Sequence, residues 1–272
     1  LTDKVDPRVA FDEGWATAFA GLVLGTSTYR DSLGPGSDFN FDIATPNPAY
    51  PRGWYAESTL QSALFSIGSG LGVGLGGLLQ TFAGHYKDTP ALASIFSYAY
   101  YLKNDQPAFA NGIANLLDAQ QIGGADIQPF ADAETNAPSP TDLPIYQTLG
   151  VLGQGGVARV VCSDNIYDYR EVHRNALSLR RYLKFSAPFA GNFRFSIEPQ
   201  SSDGVAGFEL LARGAQLAYR QASAANSTLN IVRTLTAGDY VVGVFHGDFL
   251  SATVDGSVPR ATQCFNVSVQ AI

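Results

Sequence analysis

The side chains in this 272-residue chain that could do chemistry begin with Glu13, in Asp6-Pro7-Arg8-Val9-Ala10-Phe11-Asp12-Glu13-Gly14-Trp15-Ala16. Asp6 offers an N-cap and Pro7 suits a first turn, and Ala, Val, Phe and Leu recur at helical spacing through about Leu24, so the segment reads as a helix. On it Glu13 shares a stripe with Val9, Ala16 and Ala20, which places its carboxylate on an apolar, small-residue face. A charged carboxylate in a core is costly unless it meets a metal, an arginine or strong donors, or keeps its proton. Glu13 is therefore either a ligand or a structural acid paired to a guanidinium or to helix N–H groups. Asp12 falls on a different, solvated face.

Other candidates are scattered. Tyr55 could donate to a tetrahedral oxyanion, or simply pack. His85, in Gly84-His85-Tyr86-Lys87, could give a proton beside a cleft, or be a loop histidine after a helix. Glu57 shares a stripe with Leu60, Leu64 and Ile67 yet lies near a helix start, where an acid complements the helix dipole. His173 and His246 are expected to be structural. The three histidines are solitary, so this chain cannot by itself form a two-histidine metal helix. Gly72-Val73-Gly74-Leu75-Gly76-Gly77 fits a dinucleotide fingerprint by its letters but follows a helical pattern and not a strand. Asp38-x-Asn40-x-Asp42 opens like a calcium loop, but Ile43 occupies the required glycine position and Ala49 the closing glutamate position. There is no nucleophile elbow for a serine hydrolase.

The elements that would position these residues change style along the chain. The first part is expected to be mainly helical, with helices at about 7–24, 54–67, 75–85, 90–103 and 106–121 and a short strand at 38–43. The stretch 135–156, rich in Pro and Gly, suggests a junction near residue 155. Beyond it come short alternating runs, Tyr182–Phe185, Phe193–Ile197, Phe208–Leu211, Tyr240–Val244 and Phe265–Val269, which predict an antiparallel β-sandwich. Fold class is thus a mainly α-helical domain over 1–155 followed by an antiparallel β-sandwich over 156–272. Lys and Arg against Asp and Glu number 6 against 15 over 1–155 and 11 against 9 over 156–272. The overall charge of −7, with no basic block, argues against nucleic acid or an anionic membrane as partner. The uncharged stretch Ser58–Tyr86 is long enough to span a bilayer, but seven glycines and eight Ser, Thr or Gln residues favour a buried segment and no membrane span. Cys162 and Cys264 bracket the second part; they read as one enclosing disulfide, the alternative being two buried thiols. An export signal, if any, is expected to have been removed before Leu1, and the localisation to be secreted or periplasmic.

The Asp12-Glu13-Gly14-Trp15-Ala16 pattern after Pro7-Arg8-x-Ala10-Phe11 resembles the glutamate helix of gluzincin zinc metallopeptidases, with the likeness extending to Gly53-Trp54-Tyr55-Ala56-Glu57. That resemblance implies Glu13 as a zinc ligand, with Tyr55 and His85 as candidate catalytic groups. The family's His-Glu-x-x-His helix is missing. The implied zinc therefore belongs to a complete protein, with none expected on this chain alone, and the partners would be a peptide or protein substrate or the missing N-terminal part of a precursor. The second domain resembles pre-peptidase C-terminal domains, on Arg181–Phe185, Ala190-Gly191-Asn192-Phe193, Leu235–Tyr240 and Cys264–Ser268. Two functions follow: a portion of a secreted peptidase, inactive alone, whose support is the inward Glu13; or a non-catalytic extracellular binding or adhesion protein recognising protein or glycan.

Overall fold

Asp6 accepts from Arg8 N–H and Pro7 opens helix α1, Pro7–Leu24, which Gly25 ends in a left-handed conformation. This computed structural model describes residues 3–32, 34–167, 175–251 and 262–272; His173 lies outside them. Contacts divide the chain into Leu1–Thr89 with Ala93–Leu143, and Pro90–Leu92 with Pro144–Ile272.

The first unit continues with a hairpin, β1 (Thr28–Ser32) and β2 (Asp38–Asp42), then helices α2 (Glu57–Phe65), α3 (Gly74–Ala83), α4 (Ile95–Asp105) and α5 (Ala110–Ala119). The side of α1 that turns inward is Pro7, Ala10, Phe11, Gly14, Thr17, Ala18 and Gly21. Its two glycines decide this. A Cβ at Gly14 would lie 2.7 Å from Leu60 Cβ, and one at Gly21 would strike Ile43 Cδ1, so α2 and the end of the hairpin close onto bare backbone. Around Phe11 the rings of Trp15, Phe82, Tyr86 and Tyr98 interlock, with Trp15 and Phe82 centroids 4.4 Å apart and Tyr98 Oη donating to Leu78 O at 3.0 Å. The apolar stretch Ser58–Tyr86 is broken: α2 passes through a wide turn at Ser66–Gly70 into α3, the two halves bent by 119°. Among the described residues no single helix is long and apolar enough to cross a membrane.

The second unit is a β-sandwich. One sheet holds, in spatial order, β3 (Tyr146–Leu149), β5 (Arg180–Ala187), β10 (Gly238–His246), β7 (Ala206–Ala212) and β8 (Ala215–Gln221). The other holds β4 (Arg159–Asp164), β11 (Thr262–Ala271), β6 (Gly191–Pro199) and β9 (Leu229–Leu235). A short helix, α6 (Gly247–Ser251), follows β10. Alternate residues from both sheets, among them Leu183, Phe185, Phe193, Phe195, Phe208, Val242, Phe265 and Val267, fill the core between them. The expectation of a wholly antiparallel sandwich is corrected at one edge. β3 pairs with β5 in parallel, Tyr146 opposite Tyr182, and lies inside the Pro- and Gly-rich stretch read as linker. Cys162 and Cys264 form a disulfide between directly opposed positions of β4 and β11, with Cα atoms 4.0 Å apart.

Candidate functional site

The inward Glu13 is overturned. Glu13 is exposed, as are Asp12, Ala16, Phe19, Val23 and Leu24, because the glycine side of α1 and not the alanine side meets α2. The helix is apolar nearly all round, so periodicity alone did not say which side would be covered. The uncovered side keeps Phe19 at 36%, Val23 at 55% and Leu24 at 74% exposure.

This side of α1 borders the hairpin. A half-open groove of about 340 Å³ is lined by Ala20, Gly21 and Leu24 of the helix, Thr26, and Thr28, Tyr29 and Arg30 of β1. Glu13 lies on the helix stripe that leads to Ala20 and Leu24, at offsets of seven and eleven. In the hairpin register Tyr29 faces Phe41 and Asp31 faces Phe39, so these four share one face. Tyr29 and Phe41 stack with centroids 5.0 Å apart, and Phe39 lies parallel to Phe41 at 6.4 Å. Tyr29 Oη donates to Asp31 Oδ2 at 3.3 Å. Partial burial raises the Tyr29 pKa above the ordinary phenol value, and the charges of Asp31, Glu57 and Glu13 push it the same way. Glu57 also sits above its usual range, through burial first and then the like charges of Glu13 and Asp3. The aromatic face of the hairpin thus lies within the field of Glu13, Glu57 and Asp31.

The other predicted residues do not join it. Tyr55 is buried, its phenol pushed up by desolvation and held by the Asn136 side chain, while neighbouring Trp54 donates Nε1–H to Asn136 O at 2.7 Å. The phenol is thereby committed to the interior and not turned toward an oxyanion. His85 is on the surface with Nδ1 2.7 Å from Asp105 Oδ1. No hydrogen bond or ion pair joins any two of Glu13, Tyr55 and His85 among the described residues. His246 is buried in the sandwich against the Phe249 ring, centroids 4.4 Å apart, and its N–H donates to Ser163 Oγ. Gly72–Gly77 follows the wide turn and opens α3, not the end of a strand. Asp38, Asn40 and Asp42 lie along an extended strand, a shape that does not wrap a cation.

Zinc does not fit the residues present. Among the described residues no three of His, Cys, Asp and Glu gather into a metal-holding group, and the groups in Glu13's field are a second carboxylate and a phenol. What sequence reasoning missed was β1 and the groove. The signal available was the pairing of Thr28-Tyr29-Arg30-Asp31-Ser32 with Asp38-Phe39-Asn40-Phe41-Asp42 across Gly34-Pro35-Gly36.

No protein family matches the chain, and no curated protein does. Among solved structures, the chain is similar to the pre-peptidase C-terminal domain of a collagenase from Bacillus anthracis, at 12% identity and TM-score 0.30 over 50% of this chain and 100% of that one. It is also similar to PliG, a periplasmic inhibitor of g-type lysozyme from Aeromonas hydrophila, at 14% identity and TM-score 0.25 over 46% and 97%. A family 35 carbohydrate-binding module from Clostridium thermocellum matches at 18% identity and TM-score 0.21 over 34% and 70%. Scores this low carry no argument about what the chain does.

Proposed function

We propose that the chain is a secreted or periplasmic binding protein that presents the uncovered side of α1 and the β1–β2 hairpin to a polypeptide partner, with the disulfide-closed sandwich as its accessory module. The observation that carries this reading is α1 itself: a helix apolar on both sides that covers only one of them, leaving Phe19, Val23 and Leu24 exposed, with Leu24 in the groove beside β1. A disulfide between paired strands supports an oxidising compartment. A photo-crosslinking phenylalanine analogue at Val23, in protein expressed through the secretory route, tests it. A discrete adduct from Val23 that is missing from an analogue placed at the exposed sandwich residue Val232 supports the reading; equal or absent labelling at both sites overturns it.

A second reading has one observation in its favour. Glu13 is exposed on this uncovered face, within the electrostatic reach of Tyr29 and next to Ala16 and Ala20, whose small side chains leave room for another helix. That is where the metal-holding helix of a gluzincin-like peptidase would lie, and the chain would then be a portion of such an enzyme, inactive alone. Reading the parent gene upstream of Leu1 tests it: a His-Glu-x-x-His codon run within several dozen residues supports the peptidase, and a frame lacking one removes it. In the peptidase reading the partner of α1 is an upstream segment of the same polypeptide, and in the binding reading it is a separate chain.

A further inference from the structure

The groove beside α1 runs along the backbone edge of a strand. Thr28, Tyr29 and Arg30 are consecutive and alternate in side-chain direction, so all three can line one groove only if it follows the edge of β1. That edge is not used by β2. Ile43 N–H donates to Ser27 O, which makes Ser27 and Ile43 a hydrogen-bonded pair; counting by two along the register, Tyr29–Phe41 and Asp31–Phe39 are bonded pairs as well. Thr28, Arg30 and Ser32 therefore turn their N–H and C=O groups to the outer edge. Two of those three N–H groups are already closed off, Thr28 N–H by Thr26 Oγ1 at 3.1 Å and Ser32 N–H by Asp31 Oδ1 at 2.7 Å. The central one, Arg30 N–H, faces outward with the carbonyls of Thr28 and Arg30 on either side. Caps of this kind at both ends limit the edge to a short stretch, as proteins do where long open edges would aggregate.

We propose, building on the binding reading above, that this edge takes an extended cationic peptide as a third strand, paired at Arg30, with an apolar side chain in the groove over Ala20, Gly21 and Leu24. Main-chain pairing supplies the recognition and the groove selects the side chain, as in other cases of strand addition. At about 340 Å³ the groove is at the small end of ligand pockets and suits one aliphatic side chain better than an aromatic pair. Charge supplies the rest of the selection. Asp31, Asp38 and Asp42 on the hairpin and Glu13 and Glu57 beside it face a single hairpin cation, Arg30, and the whole of 1–155 carries nine more acids than bases. Lys or Arg flanking the apolar residue would be steered and held; an acidic peptide would be repelled.

The probe is a fluorescein-labelled heptapeptide of alternating Lys and Leu, titrated with the full chain by anisotropy, alongside a Glu-for-Lys version and a version N-methylated at its central amides. The cationic peptide is expected to bind at least tenfold more tightly than either control, and to weaken as salt is raised. Arg30→Pro removes the central, uncapped outward N–H at an edge position where proline is tolerated, and is expected to lose at least tenfold. Arg30→Ala keeps the N–H and removes a like charge, and is expected to bind as well as the parent or better. Weakening by Arg30→Ala, or equal binding of the N-methylated peptide, overturns the proposal. So does reversible dimerisation of the free chain, by sedimentation, that Arg30→Pro abolishes, since a second copy would then hold the edge. A Val23 crosslink without peptide pairing overturns this inference alone and leaves the binding reading standing; loss of both removes both.

Discussion

The two units of this chain bury apolar residues by different rules. In the sandwich the pleat sends alternate side chains to opposite faces, so Phe193, Phe195 and Ile197 must share the core while Asn192, Arg194 and Ser196 must not. In the helical unit α1 is apolar nearly all round, and the choice of its inner side falls to Gly14 and Gly21, where backbone meets Leu60 and Ile43. In β6 and β11 a period of two leaves no freedom about which face is inside, while β7 and most of β10 are buried on both faces. A helix with two apolar sides leaves that choice to its neighbours and ends with one side uncovered. The sandwich draws its core from two facing sheets, and the helical unit leaves one apolar side of its first helix at the surface.

Breaking the covalent closure of the sandwich should have the largest effect. The Cys162–Cys264 disulfide closes a loop of 102 residues, and Cys162→Ser with Cys264→Ser is expected to cost about 2–5 kcal/mol of sandwich stability by urea unfolding followed through its near-ultraviolet signal. Next comes the choice of side in α1. Gly21→Ala puts a methyl against Ile43 Cδ1 and Thr26 O, and is expected to cost about 1–3 kcal/mol in the first unit, read by helical ellipticity in urea. Leu24→Ser, on the uncovered side, is expected to change stability by no more than about 0.5 kcal/mol in the same assay. If Leu24→Ser proves as costly as Gly21→Ala, the contrast between covered and uncovered sides fails. The smallest effect concerns Glu57, whose raised pKa means that the folded state holds its proton longer than the unfolded state. Its protonated form favours folding below the ordinary carboxylate range, and that advantage is lost as pH rises through the raised value. Glu57→Gln is therefore expected to raise the melting temperature by about 1–2 °C at pH 7 and to flatten its dependence from the ordinary carboxylate range upward.

The sequence announced α1 at both ends, through Asp6-Pro7 and Gly25, and it announced β6 and β11 through clean alternation and β5, β7 and β10 through short apolar runs. β8 escaped because Ala218 is its one buried position, so no alternation marks Ala215–Gln221. β3 escaped because it is a four-residue edge strand among prolines and glycines, paired to a strand more than thirty residues away. The opposed cysteines were legible from count and spacing alone. The direction of Glu13 was not, because Ala16 and Ala20 invite a close neighbour as plainly as Gly14 and Gly21 do, and only tertiary contact shows which pair was used. Tyr55 and His85 have residue types that suit catalysis, and the partners they meet, Asn136 and Asp105, are remote in sequence and so were not legible.

The bridge between β4 and β11 also has a meaning for life among proteases. Six of the nine sandwich strands, β5 through β10, lie wholly between its two cysteines, and turns such as Arg213-Gly214 present cleavable bonds to solvent. A single scission at Arg213 would split the polypeptide without releasing either half: the fragments would migrate as one species until a reductant separated them.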